Sequence, residues 1–568
     1  MKLSTLATLV VVFGLASGCA PEPSVSGQDV AIGSDIVADT SDTTADTPAL
    51  DSLSDGTADT TDTTPLDVGP DVGPDVSPDV VSPPDGETVP SQPPAVVQVG
   101  AGGFLLRGTV LTPSGPLDPG EVLFIGNTIV CVAANCSGHS LAGGVTIIDT
   151  HGVISPGLID GHNHLTYNFL PEWVAPHLYD SRDVWVDEPS YEAHVAPFAD
   201  GRNLNERVCP AAKWGELRSL IHGTTTVQGQ SFQRSCLNRL VRNADHYHGL
   251  GYNHLGTSIA SPADMNTNDG IKLAERFAKA DNPTTRYAIH MCEGLRGSNM
   301  AIEFDSWAGR DPRTQLARHQ GLSLLAYDGT YTHPTTGAAT SLFYRGVAVL
   351  IHSMILTEPQ LQEVKATDSF VVWSPSSNLV LYGATAPIAR MLELNLTIGI
   401  GPDWTPSGED ELLSEMRFAV RHGRTEGINA LTYERIWRMA TSDGAEVLGF
   451  GDALGSLEID YRADIAVFGR TGADPYQAVI ESRAKDVRLV FIDGLAYFGD
   501  LALMDDVALN DVCDVMDACG KDKFLCARET PGHEDRAEET VGDIEDQLRG
   551  ILATYNRTND LLPLIQCE

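Results

Sequence analysis

The rhythm of apolar and polar positions changes twice along the chain. From Phe104, short apolar runs separated by Gly-rich turns (FLLRGTVL, EVLFIGNTIVCV and VTIIDT) read as strands. The same rhythm returns in ADIAVF at 463–468 and VRLVFIDG at 487–494. Two such blocks flanking a long middle predict one small sheet domain built from both ends, residues 99–157 and 447–498. Between them, residues 158–446 alternate helical stretches such as AAKWGELRSLIH (211–222) and GIKLAERFAKA (270–280) with compact strands. The strands are LIDGHNH, TTTVQ, RYAIH, VAVLIH, SFVVW and LTIGIG, and residues 252–260 add a candidate. Strand–helix alternation implies a parallel sheet, so the expected class is α/β, a (β/α)8 TIM-like barrel.

Polar residues fall where such a barrel places its chemistry. Nearly every apolar run of the middle ends in a reactive side chain: His162 and His164, His290, His352, Ser374 to Asn378, Asp403. Active sites of (β/α)8 barrels are assembled at the C-terminal ends of the strands. His162 and His164 are two apart, so on a strand both point to one face. Imidazole pairs suit Zn²⁺ and similar ions, and a catalytic site needs about three protein ligands with a position left open. The H-x-H pair alone is weak evidence. Its setting in PGLIDGHNH, after VTIIDTHGVI, is more specific.

PGLIDGHNHL resembles the first-strand signature of the amidohydrolase superfamily, and the remaining motifs follow in order. AIHMCEG resembles the H-x-x-E strand of its deaminase/chlorohydrolase-like or imidazolonepropionase-like branch. VAVLIHS resembles the next His strand, WSPSSNLVLYG the one after, and GIGPDW the final Asp strand. The resemblance spans about residues 104–497 and implies a distorted TIM barrel beside a small β-sandwich. It implies that His162, His164, His290 and Asp403 hold one metal ion, zinc or another divalent ion such as Fe²⁺. Catalytic roles then fall to Asp403 as proton acceptor and Glu293 as proton shuttle. His352 would polarise a carbonyl, orient the nucleophile or act as a further ligand. Two-metal members bridge their ions with a Lys or Glu of a middle strand. Lys213, Lys272 and Lys279 all fall in helical patterns here, which favours one metal. Cys292 reads as a buried free thiol.

The stretch from Leu165 to Pro210 is too long for an ordinary strand–helix connection. As it leaves the first metal strand, its Tyr167 and Arg182 are candidate substrate contacts, joined by Asn378 and Trp404. Anchoring of the loop by its rings is an equally good reading.

Charge and composition refine this picture at the ends. The 568 residues carry a net charge of −40, which excludes nucleic-acid binding by clustered Lys and Arg. Residues 20–98 hold sixteen acidic side chains and no Lys or Arg. With their Pro, Thr and Ser content they cannot bury enough apolar surface to fold, so 19–98 reads as an extended stalk. Residues 1–18, with Lys2, an apolar run from Leu6 to Leu15 and Leu15-Ala16-Ser17-Gly18-Cys19, resemble a bacterial lipoprotein signal. Cys19 would be lipidated, placing an exported lipoprotein on the outer membrane or cell surface; an ordinary signal peptide is the other reading. Ten cysteines fit an oxidising compartment. Cys131 with Cys136, Cys209 with Cys236, and pairings among Cys513, Cys519, Cys526 and Cys567 are the candidate disulfides. Residues 499–568 lie beyond the resemblance and read as a disulfide-tied extension with one helix.

The expected function is hydrolysis of a non-peptide C–N bond, in a cyclic amide or an amino-substituted ring, by metal-bound hydroxide. The partner is a small-molecule substrate, and the membrane is reached through the lipid anchor alone; a homo-oligomer stays open. The competing readings are a two-metal dipeptidase-like amidohydrolase and a non-catalytic surface binding lipoprotein.

Overall fold

The computed structural model describes residues 92–567 except 199–207, 230–239, 246–248, 251–254, 259–261, 263–266, 280–284, 312–321, 334, 509–512 and 528–538. The signal, Cys19, most of the stalk and Cys236 lie outside the described residues. Among the described residues, no helix is long and apolar enough to cross a membrane.

The strand-rich blocks on both sides of the middle join, among the described residues, in one ten-stranded sheet. Its centre is the antiparallel pair Thr146–Pro156 and Ile465–Gly469, with Ile465 opposite Pro156 and Gly469 opposite Gly152. Phe104–Thr112 pairs with the first of these in parallel and Val487–Ile492 with the second in antiparallel. The sheet does not stop at residue 498. Leu495–Asp500 pairs with Asp522–Leu525, which pairs with Asp514–Asp517, so the C-terminal extension supplies the last two strands on this side of the sheet. Cys513–Cys526 and Cys519–Cys567 are the disulfides of this extension, and Cys131–Cys136 closes a turn of the first block.

Among the described residues, the middle contributes eight parallel strands in two arcs. One is Leu158–Asp160, Thr224–Val227, Arg242–Asn243; the other runs Leu255–Ser258, Arg286–Met291, Ala348–His352, Phe370–Trp373, Ile398–Ile400. Two of these, Arg242–Asn243 and Leu255–Ser258, go beyond the six motif-bearing strands; the second falls within the candidate 252–260. The arcs meet at one seam, where Gly161 N–H donates to Ile400 O at 2.9 Å and Asn163 bridges Asp403. A Cβ at Gly401 would lie 2.5 Å from the backbone N and O of His162, so only glycine lets the seam close this tightly. No strand ladder joins the arcs at the opposite seam among the described residues.

Val208–Ile221 and Thr267–Phe277 match the two anticipated helices within a few residues. Their apolar faces, with those of Glu358–Ala366 and Leu412–Thr425, pack into the continuous core around the strands. The hairpin Tyr327–Thr332 and Ala339–Tyr344 fills the insertion between the second and third metal strands.

Candidate metal centre

The strands that lead to His162 and His164, His290, His352 and Asp403 deliver these residues to the same place. The rings of His162 and His164 lie 4.9 Å apart, those of His162 and His290 4.8 Å, and those of His290 and His352 5.2 Å. Asp403 arrives from the last strand and sets Oδ1 3.1 Å from His162 Nε2 and 3.4 Å from His164 Nε2. Its backbone is held on both sides: Asp403 N–H donates to His162 O at 3.1 Å and His164 N–H donates to Asp403 O at 2.6 Å. Asp403 (φ 74°), His352 (φ 65°) and Cys292 (φ 54°) are all left-handed, a cost that non-glycine residues bear where the surrounding structure imposes it.

The donor set fits a metal ion. A Zn–N distance of about 2.0–2.1 Å in a tetrahedron puts ligand atoms about 3.3 Å apart, close to the two Asp403 contacts. Ligand atoms of His162, His164, His290 and Asp403 all lie within 4.8 Å of one another. His290 Nδ1 and His352 Nε2 are buried without a hydrogen-bonding partner, a cost that an ion or a substrate atom would remove. Burial, reinforced by the neighbouring histidines, lowers His164 to about 4 and His290 well below the usual imidazole range. Neutral imidazoles are what ligation requires. Burial works against the Asp403 carboxylate, but contact with His162 and the other histidines holds it well below the usual range.

Glu293 forms a second cluster with His290 and His352. Burial pushes its carboxyl up to about 7, against Arg182 and a hydrogen bond from Tyr382. Its Oε2 lies 3.6 Å from His352 Nε2, while Tyr382 donates to Oε1 at 2.6 Å. His352 sits between groups: Nδ1 meets Asn378 Oδ1 at 3.0 Å, and burial lowers its pKa to about 3.

The expected substrate contacts separate into two kinds. Tyr167 and Trp404 flank the histidines, with ring centroids 6.2 and 6.0 Å from His164. They also pack on each other at 5.2 Å, and Trp185 packs on Trp404 at 5.6 Å, so the rings anchor the loop as well. Asn378 and Arg182 stand behind the reactive groups instead. Asn378 is fully buried, with Oδ1 on His352 and Nδ2 on Thr385. Arg182 pairs with Glu303, and its other nitrogen lies 3.8 Å from Glu293 Oε2. Glu303 also accepts the Cys292 N–H at 2.7 Å, which ties this pair to the turn carrying Glu293.

Sequence reasoning missed Tyr382, Gln228, Asp245 and Glu303. Gln228 carried a usable signal, since it ends the TTTVQ run as His290 ends RYAIH. Asp245 and Glu303 lie outside any motif, and only the fold brings them in. Cys292 is a buried free thiol, and burial raises its pKa further. Lys213 and Lys272 lie on helices, as expected, and Lys279 follows one.

Fold and site together define a metal-dependent hydrolase. The Amidohydrolase family model matches residues 319–496. The 5-methylthioadenosine/S-adenosylhomocysteine deaminase of Desulforudis audaxviator is 33% identical over 383 residues, 61% of this chain and 82% of that protein. The deaminase of the same name from Desulfitobacterium hafniense is 25% identical over 447 residues, 72% of this chain and 96% of that one. Among solved structures, a mutant atrazine chlorohydrolase of Arthrobacter aurescens complexed with zinc and atraton superposes with a TM-score of 0.52. The identity there is 19%, covering 69% of this chain and 95% of that chain, a likeness that establishes the TIM-barrel fold. The chain belongs to the amidohydrolase family, in its deaminase-like branch. It is a hydrolase of carbon–nitrogen bonds other than peptide bonds.

Proposed function

We propose that this chain deaminates an amino-substituted ring or opens a cyclic amide, using one divalent metal held by His162, His164, His290 and Asp403. The observation that carries the reading is the convergence of that donor set with Glu293 and His352 at the strand ends. Zinc is the favoured ion, because three imidazoles and one carboxylate suit it. When bound, it supplies a Lewis acid that lowers the pKa of water toward about 7.

The chain's own groups do the rest. Asp403, kept ionised, accepts the proton of the attacking water. Glu293, a carboxyl near neutrality, delivers a proton to the departing nitrogen, the work of a general acid. His352, neutral and held by Asn378, points Nε2 toward the reacting centre to orient the nucleophile or the substrate. Tyr167 and Trp404 offer flat apolar faces beside His164, suited to a ring. The relatives named as 5-methylthioadenosine/S-adenosylhomocysteine deaminases favour an aminated purine among the candidate substrates.

The test is metal analysis of the purified protein with a screen of aminated purines, aminated triazines and cyclic ureas. About one metal per chain and turnover of one class are expected. Asp403→Ala should abolish turnover and leave the circular-dichroism spectrum unchanged. Two metals per chain with dipeptide hydrolysis would replace the reading; activity surviving in the Asp403 variant would refute the assigned roles.

We further propose that the chain is exported and anchored through lipidated Cys19, with residues 19–98 as the spacer. Labelling with a radioactive fatty acid that persists in Cys19→Ala would refute this.

A further inference from the structure

His162 is the most deeply placed of the candidate ligands, and its second nitrogen is not idle. Nδ1 lies 2.8 Å from Gln228 Oε1. The Gln228 amide continues outward: Nε2 lies 3.0 Å from Asp245 Oδ1 and 3.3 Å from Oδ2. Oδ2 of Asp245 also accepts the Gly229 backbone N–H at 2.9 Å. His162, Gln228 and Asp245 are 1%, 2% and 4% exposed, so water cannot replace a wrongly directed hydrogen bond.

The direction of each bond in this chain follows from its far end. A backbone N–H can only donate, so Asp245 is engaged there as an acceptor. Facing that carboxylate, the Gln228 side chain must present its NH2 group, and its oxygen must therefore turn to His162. An amide oxygen can only accept, so His162 Nδ1 carries the ring proton. In a neutral imidazole that leaves the lone pair on Nε2, the nitrogen beside Asp403. A flipped amide would set its oxygen against the carboxylate and its NH2 against Nδ1. The proton would then move to Nε2, and the ring could not ligate through that atom.

We infer that Gln228 and Asp245 are positioning residues that fix the His162 tautomer and thereby set the metal affinity of the site. This rests on the single-metal reading above. The backbone supports the chain of contacts: Gln228 N–H donates to Asp160 O at 2.9 Å and Asn163 N–H to Gln228 O at 2.7 Å, locking Gln228 beside the first metal strand. Asp245 touches neither the ligand atoms nor the reacting centre in this scheme and acts only through Gln228.

Zinc affinity of metal-stripped full chain, measured by competition with a chromogenic chelator, tests the inference without a substrate. Gln228→Leu should weaken zinc binding about 10–100-fold, the usual effect of losing such an outer partner. Asp245→Asn, which lets the amide settle either way, should weaken it less, by several-fold. The double variant should bind no more weakly than Gln228→Leu alone, because the two residues act in series. Cobalt(II) spectra should show an altered ligand field in Gln228→Leu, with thermal melting confirming the fold. Unchanged zinc affinity in Asp245→Asn, or additive losses in the double variant, would overturn the inference and leave the metal centre standing. Failure of the unaltered chain to bind any divalent ion would remove both.

Discussion

Tyr382 donates its phenolic proton to Glu293 at 2.6 Å, and Trp185 Nε1 donates to the same phenol oxygen at 2.8 Å. The long loop after the first metal strand is thereby wired to the proposed acid. Tyr382→Phe removes the donor that stabilises charged Glu293, so the carboxyl should become still harder to ionise. An acid that must be protonated loses activity as pH rises through its pKa. The alkaline limb of the kcat profile should therefore move to higher pH in Tyr382→Phe, with little change in KM. A limb that stays in place, or moves down, would separate Glu293 from the acid role.

Asn378→Ala should leave His352 Nδ1 buried without its acceptor. An orphaned buried group costs about 1–3 kcal/mol, visible as a lower melting temperature. Because Asn378 works on His352 and not on substrate, kcat should fall more than KM rises. Steady-state kinetics on the substrate found by screening would check the split.

Acid stability should depend on Glu411. Its side chain caps the Leu412–Thr425 helix, accepting from Leu413 N–H at 2.6 Å and Ser414 N–H at 3.0 Å, and it pairs with Arg417 at 2.9 Å. Burial opposes ionisation, yet His222, Arg417 and the cap hold its pKa down to about 2, below the ordinary 4.5. A depressed carboxyl contributes stability above its ordinary pKa, and that stability drains away as pH falls toward 2. Glu411→Gln should be less stable than the unaltered chain at neutral pH, and the difference should shrink between pH 4.5 and 2. Urea melts at several pH values would reveal it; a constant difference would exclude the linkage.

The C-terminal extension should contribute to stability through Lys213. That side chain is fully buried and pairs with Glu539 at 2.5 Å. Removing one partner of a buried pair commonly costs about 3–5 kcal/mol, whereas apolar replacement of both is often neutral. Glu539→Gln should therefore lower the melting temperature markedly, and Lys213→Met with Glu539→Leu should restore most of it.

What could be read from the chain, and what could not, divides along a physical line. His162, His164, His290, Glu293, His352 and Asp403 were legible because a reactive residue at the end of an apolar run is an exception to the pattern around it. The barrel strands bearing them were legible for the same reason. Arg242–Asn243 was not, because two residues carry no period. Polarity and nearness to the motifs make Asn378 and Arg182 candidate substrate contacts in the sequence. Their place behind His352 and Glu293 depends on side-chain direction, which spacing does not encode. The last two strands, at 514–525, were missed for a related reason: Asp514–Asp517 and Asp522–Leu525 are short and charged, and only the exposed edge at Leu495–Asp500 makes them strands.

The pairing of Thr146–Pro156 with Ile465–Gly469 also governs the order in which the molecule can be made. The first block enters folding with an unpaired edge and waits for the entire barrel before its partner strand arrives. Contacts so distant in sequence form late, after the loop between them has been ordered. During that interval the Gly152–Pro156 part of the edge, beyond the stretch that Ala95–Gln98 covers, is a template for pairing with other chains. Yield of the folded protein should thus fall as chain concentration rises during refolding, because aggregation competes with the late docking of Ile465–Gly469.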